Sequence, residues 1–171
     1  AVEANTVMAG GGIAEVVSSK DPSLKPGDIV FGDTGWQEYA AVPAKHLSKM
    51  PKLEPMTHLL SVYGIAGLTA YFGLLHVGKP KEGETVVVSA AAGSVGSIVG
   101  QIAKIKGCKV IGIAGGKDKC NWLTSELGFD AAVDYKDGAT YKALRAAAPK
   151  GIDVYFDNVG GDILEACIAL M

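Results

Sequence analysis

The apolar positions of this chain change rhythm partway along it. Up to about residue 56 they come in short runs broken by turn residues. Ile13-Ala14-Glu15-Val16-Val17 precedes a polar stretch ending in Lys25-Pro26-Gly27-Asp28, Ile29-Val30-Phe31 stops at Gly32-Asp33-Thr34-Gly35, and Trp36-Gln37-Glu38-Tyr39-Ala40-Ala41-Val42 is closed by Pro43. Such runs predict strands of a β-barrel or sandwich piece, too few to close a barrel alone. From about 57 the runs lengthen. Leu59 to Leu75 has a helical texture interrupted by Gly64 and Gly67. Thr85-Val86-Val87-Val88-Ser89 is a continuous β-branched run, as expected of a strand buried on both faces of a parallel sheet. Ser94 to Lys106 carries apolar Val95, Ile98, Val99, Ile102 and Ile105 at helical spacing. Strands follow at 109–113, 131–134 and 152–157, with helices predicted over 117–127, 141–148 and from Asp162 onward. The order β-α-β-α-β-α-β-α predicts an α/β fold with a doubly wound parallel sheet.

Composition narrows the classes. Apolar residues make up 49%, enough to bury a core, and the net charge of −2 gives no global electrostatic case for nucleic acid. The 23 glycines cluster at predicted turns rather than in repeats, against a collagen-like or disordered chain. No apolar run reaches the roughly 18 residues of a membrane span. The first residues lack the basic and apolar regions of a secretory signal. Cys108, Cys120 and Cys167 lie far apart and form no CxxC pair, which suits a reducing cytoplasm. His46, His58 and His76 are dispersed, so no metal set is expected. No Met begins the chain, and its last helix lacks a C-cap glycine, so both ends read as those of a piece of a longer protein.

The central motif is Ala91-Ala92-Gly93-Ser94-Val95-Gly96, between the first long strand and its helix. It is an A-x-G-x-x-G form of the dinucleotide fingerprint. Gly93 lets the backbone approach a pyrophosphate, and Gly96 lets helix and strand pack closely. The open N–H groups of the helix start then face the anion. The alternative is a tight turn with no ligand. Buried strand before, amphipathic helix after and a second strand some twenty residues on favour the ligand.

The next strand runs into Gly115-Gly116-Lys117-Asp118-Lys119. NAD enzymes usually end this strand in a carboxylate that accepts from the ribose 2′-hydroxyl. Here lysines stand instead, which favours a 2′-phosphate and hence NADP. Asp118 facing the ribose, or solvated lysines, are the opposing readings. Tyr135 at the end of the third strand is a candidate beside that phosphate, and Asn158 at the end of the fourth a candidate at the nicotinamide ribose. As isolated residues, both also fit ordinary packing and turn roles.

The runs Gly64 to Leu75 and Gly83 to Gly96 closely resemble the medium-chain dehydrogenase/reductase superfamily. Gly100-Gln101-Ile102-Ala103-Lys104 and Phe156-Asp157-Asn158-Val159-Gly160-Gly161 resemble its zinc-independent branch of leukotriene/prostaglandin reductases and alkenal double-bond reductases. Ser61-Val62-Tyr63-Gly64 has no Cys where zinc relatives have one, and Ala66 stands where relatives often have Pro. The resemblance implies part of a GroES-like catalytic domain at 1–56 and a C-terminally incomplete Rossmann domain at 57–171, from a homodimer of about twice this length. It implies NADPH and reduction of the carbon–carbon double bond of α,β-unsaturated ketones or aldehydes. By position, Gly93, Ser94, Val95 and Gly96 match the pyrophosphate turn, Lys119 and Tyr135 the 2′-phosphate contacts, and Asn158 a nicotinamide-side contact. It points to no catalytic side chain; Tyr63 reads equally as a cleft or a packing residue. A quinone reductase, a non-catalytic NADPH-binding protein and an inactive fragment are the competing readings.

Overall fold

A computed structural model describes residues 3–171 as two compact units, divided between Gly64 and Ile65. In the first unit, β1 (Gly11–Glu15), β2 (Ile29–Asp33) and β3 (Ser48–Met50) form an antiparallel sheet in that order. Ile29 and Val30 are its buried centre, with Glu15 opposite Ile29 on one side and Met50 on the other. The run Trp36–Val42, expected as a strand, is not one. Gly35 N–H and Trp36 N–H reach the carbonyls of Gly10 and Met8, and beyond them no strand among the described residues runs alongside. Trp36 and Tyr39 are accordingly 74% and 78% exposed. One side of this unit is an open hollow of ≈ 1240 Å³ lined by Ile13, Val16, Leu24, Val30, Tyr39 and Leu47.

The second unit follows the predicted alternation closely. α1 (Ile65–Phe72) continues through a wider turn over Gly73–Gly78 and stops at Lys79, which is left-handed at φ 49°. The helix expected from Leu59 begins only after Gly64. Gly67 does not interrupt it and is a buried member of α1, which packs chiefly on α2 (Ser94–Ile105). Glycine inside a helix is tolerated where a missing side chain admits a neighbour. The strands are β4 (Thr85–Val88), β5 (Lys109–Ala114), β6 (Ala131–Asp134) and β7 (Val154–Phe156), all parallel, in the order β6-β5-β4-β7. Between them run α3 (Lys117–Ser125) and α4 (Thr140–Ala147), and α5 (Gly161–Ile168) follows β7.

Side-chain alternation explains the two layers. Val86, Val88, Val110 and Ala114 face α1, α2 and α3, where Ala70, Leu74, Val99, Ala103 and Leu123 cover them. Val87, Ile111 and Ile113 face the other way, under Leu144 of α4 and Cys167 of α5. Both faces of β4 and β5 are therefore dry, and this is why their sequences show no polar alternation.

Gly100 of α2 is where this packing is tightest. A Cβ there would run into the ring of Phe129, which is itself only 4% exposed. Gly100→Ala is expected to lower the unfolding free energy by about 1–3 kcal/mol through overpacking. Adding Phe129→Leu should return part of that loss. Urea unfolding of the single and double variants reads it, and an unshifted midpoint for Gly100→Ala would mean that the ring yields freely.

Candidate functional site

Reversal of strand order occurs between β4 and β7. In open α/β sheets ligands bind outside the carboxyl ends of the strands at this switch. The turn leaving β4 is unusual at Ala90, a non-glycine residue at φ 45°, held by Gly93 N–H donating to the Ala90 carbonyl at 2.8 Å. Gly96 is buried, and a Cβ on it would strike the same carbonyl and the Ala91 Cα. Helix α2 thus starts directly against the strand end. Ser97 N–H makes its bond back to the Gly93 carbonyl at 3.0 Å, so the N–H groups of Ser94, Val95 and Gly96 precede the helix's own hydrogen bonding. No side chain caps this end, and no acidic residue lies in the first turn. The partial positive charge of a 12-residue helix, about half a unit, is left uncompensated there. Gly93 and Ser94 are exposed at this mouth. Of the sequence-predicted Gly93, Ser94, Val95 and Gly96, the last three therefore form one N–H donor cluster suited to a diphosphate, and Gly93, whose own N–H is bonded to Ala90, adds no side chain at its mouth.

At the end of β5 the backbone turns through Gly115 and Gly116, the latter at φ 98°. The ring of Tyr135 lies where a Gly115 side chain would be, 2.8 Å from that Cβ position. Asp134 Oδ1 accepts from Gly116 N–H at 2.9 Å and from Lys136 N–H at 3.0 Å. The Gly116 and Lys136 N–H bonds hold its carboxyl below the usual range, aided by the charges of Lys136 and Lys117. Lys117, Asp118 and Lys119 are exposed in the first turn of α3, and among the described residues neither lysine is in an ion pair. Lys119 and Tyr135 thus come from the same edge of the unit, at the carboxyl ends of β5 and β6.

On the far side of the switch, Ser89 and the 157–160 turn interlock. Asn158 N–H donates to Ser89 Oγ and Asn158 Nδ2 to the Ser89 carbonyl, both at 2.8 Å. Asp157 Oδ1 accepts from the Tyr155 hydroxyl at 2.7 Å, from Gly160 and Val159 N–H at 2.9 and 3.0 Å, and from Ser89 Oγ at 3.2 Å. Partial burial opposes ionisation of Asp157, but these donors outweigh it and its carboxyl stays below the usual range. Asp153 is exposed and accepts Thr85 N–H at 2.7 Å. The two carboxylates sit before and after β7, each engaged with backbone, and form no catalytic pair.

Sequence reasoning passed over Ser89 and Asp134. The available signal was a hydroxyl closing an otherwise apolar buried strand, since a buried polar group needs partners. A hollow of ≈ 340 Å³ lined by Lys117, Cys120, Asp134, Asp137 and Ala143 lies at the β6 edge and includes no residue of the glycine turn. Burial pushes the thiols of Cys108 and Cys120 up, and that of Cys167 up to about 11, so none is set up as a thiolate nucleophile.

A parallel sheet in this order, with a glycine turn feeding an uncapped helix, defines a dinucleotide-binding domain. Residues 94–171 match the family described as zinc-binding dehydrogenase, and residues 1–50 the family described as N-terminal domain of oxidoreductase. NADPH-dependent curcumin reductase of Escherichia coli (strain K12) is 46% identical over 171 residues, 99% of this chain and 50% of that protein. Prostaglandin reductase 1 of Bos taurus is 48% identical over 170 residues, 96% of this chain and 51% of that protein. The crystal structure of CurA from Vibrio vulnificus in complex with NADPH is 44% identical with a TM-score of 0.88, covering 99% of this chain and 51% of that one. The chain is similar over both its halves to the medium-chain dehydrogenase/reductases, in the branch of the prostaglandin, alkenal and curcumin reductases. Its first unit is part of the GroES-like domain and its second the Rossmann-type sheet. The chain spans about half the length of the curated relatives it matches. Among the described residues no three of His, Cys, Asp and Glu gather as ligands for a metal ion.

The Asp134 bonds have a pH consequence. A carboxyl whose native pKa lies below its unfolded value of 3.8 adds stability that is complete well above 3.8 and is lost as pH falls through the native pKa. Asp134→Asn keeps an acceptor for Gly116 and Lys136 and removes the titration. The acid limb of melting temperature against pH, between roughly pH 5 and 3, should therefore be shallower in this variant than in the wild type. Superimposable limbs would show that the fold does not prefer the ionised form.

Proposed function

We propose that this chain binds NADPH at the turn from β4 into α2, and that the protein carrying it reduces the carbon–carbon double bond of α,β-unsaturated ketones or aldehydes. The single observation behind the cofactor assignment is the uncapped start of α2, where Gly93 and Gly96 admit the diphosphate to the N–H groups of Ser94, Val95 and Gly96. Lys119 and Tyr135 flank the 2′-phosphate, in the absence of a carboxylate ending β5. Asn158 meets the nicotinamide side across the switch. The crystal structure of a relative at 44% identity is a complex with NADPH, which supports the choice of cofactor. When bound, NADPH supplies a hydride to the β-carbon of the enone, and charge develops on the carbonyl oxygen. The chain's own part is to hold the two halves of the dinucleotide in register across β4. Relatives described as NADPH-dependent curcumin reductase, 2-alkenal reductase (NADP(+)-dependent) and (+)-pulegone reductase support the substrate class.

Titration of this chain with NADPH and NADH tests the cofactor, and NADPH oxidation on addition of an enone, an enal or a quinone tests the reaction. Preference for NADPH is expected. Lys119→Ala should cost NADPH roughly 1.5–3 kcal/mol, a 10- to 150-fold rise in Kd, from loss of a charge-assisted bond, and should leave NADH within about twofold. Equal weakening of both cofactors would remove Lys119 from the 2′-phosphate site. In the protein carrying this chain, turnover of quinones alone would replace the enone reading with a quinone reductase.

A further inference from the structure

We infer that Ser89 is a positioning residue for the nicotinamide half of the cofactor: it clamps the end of β7 to the end of β4 and orients the Asn158 amide so that its oxygen is free to accept at the switch. The inference rests on the NADPH reading above and goes beyond it, because it assigns a role to a residue without access to solvent. Ser89 follows the buried run of β4 and is itself 0% exposed. A hydroxyl in that place must find partners inside the fold, and all of them lie on the segment that leaves β7. Its N–H donates to the Phe156 carbonyl at 3.2 Å. Its oxygen accepts Asn158 N–H, and its one proton is directed at Asp157 Oδ1, the nearer of two acceptors at 3.2 and 3.5 Å.

The consequence for Asn158 follows from donor and acceptor chemistry. The Ser89 carbonyl can only accept, so the group facing it at 2.8 Å is the amide nitrogen. The amide oxygen is then turned away from β4. Oδ1 has no hydrogen-bond partner among the described residues, and Asn158 is exposed. Asp157 secures the same turn by collecting Val159 and Gly160 N–H, so the backbone that carries Asn158 cannot shift without breaking several bonds together. A fixed acceptor on the β7 side of the diphosphate turn suits a donor on the second nucleotide. The geometry selects a hydroxyl of the nicotinamide ribose.

The test compares two probes on this chain. NADPH spans the switch, whereas 2′,5′-ADP carries the adenosine and 2′-phosphate but no nicotinamide nucleotide. In Ser89→Ala and in Asn158→Ala, the Kd for NADPH should rise about 3- to 15-fold while that for 2′,5′-ADP stays within about twofold of wild type. A variant that merely loosens the domain would weaken both probes in parallel, and that result overturns the inference, as does an unchanged Kd for NADPH in both variants. Asn158→Ala alters an exposed side chain and decides the matter if Ser89→Ala does not fold. Wild type binding 2′,5′-ADP as tightly as NADPH would sink the clamp alone. Wild type binding neither probe would sink the NADPH reading with it.

Discussion

The close approach of α2 to the end of β4 governs the rest of this unit. Gly96 permits it, because any side chain there would occupy the space of the Ala90 carbonyl. Ala90 in turn adopts a left-handed backbone that residues other than glycine rarely take. Strain of this kind persists only where surrounding structure enforces it. What it achieves is placement: three peptide N–H groups without helical partners end up at the mouth of the switch, with no acid or cap to neutralise them.

Both flanks of this mouth are organised by the same device. On one side an Asp134 oxygen gathers two loop N–H groups and holds the Gly115–Gly116 turn beside Tyr135. On the other, Asp157 and Ser89 gather the N–H groups of residues 158–160. Loops that carry a site are usually the mobile part of an α/β fold. Here each is pinned by an oxygen whose own cost of burial or charge is offset by the backbone it serves. The two halves of a dinucleotide would thus meet separately fixed walls, joined only through β4.

The strands and helices of the second unit were legible because their environment is uniform. Thr85–Val88 and Lys109–Ala114 are covered on both faces, so nearly every position is apolar and the run announces itself. The first unit was less legible. Trp36–Val42 has strand-forming residues, yet strand formation needs a neighbour to take its N–H groups, and residue type cannot supply one. Gly67 misled for the converse reason: its effect on a helix depends on what packs against it.

Along the chain alone, the glycine spacing and the apolar runs of the strands determined the class of fold, and the lysines in place of an acid after β5 pointed to a 2′-phosphate. These are local properties, written in residue type and period. Only the folded chain decided which oxygens hold the turns. Ser89 and Asn158 are 69 positions apart, and Asp134 stands 18 from Gly116. Their pairing depends on strand order, which brings the ends of β4 and β7, and of β5 and β6, side by side, and no periodicity along a sequence encodes which strands become neighbours.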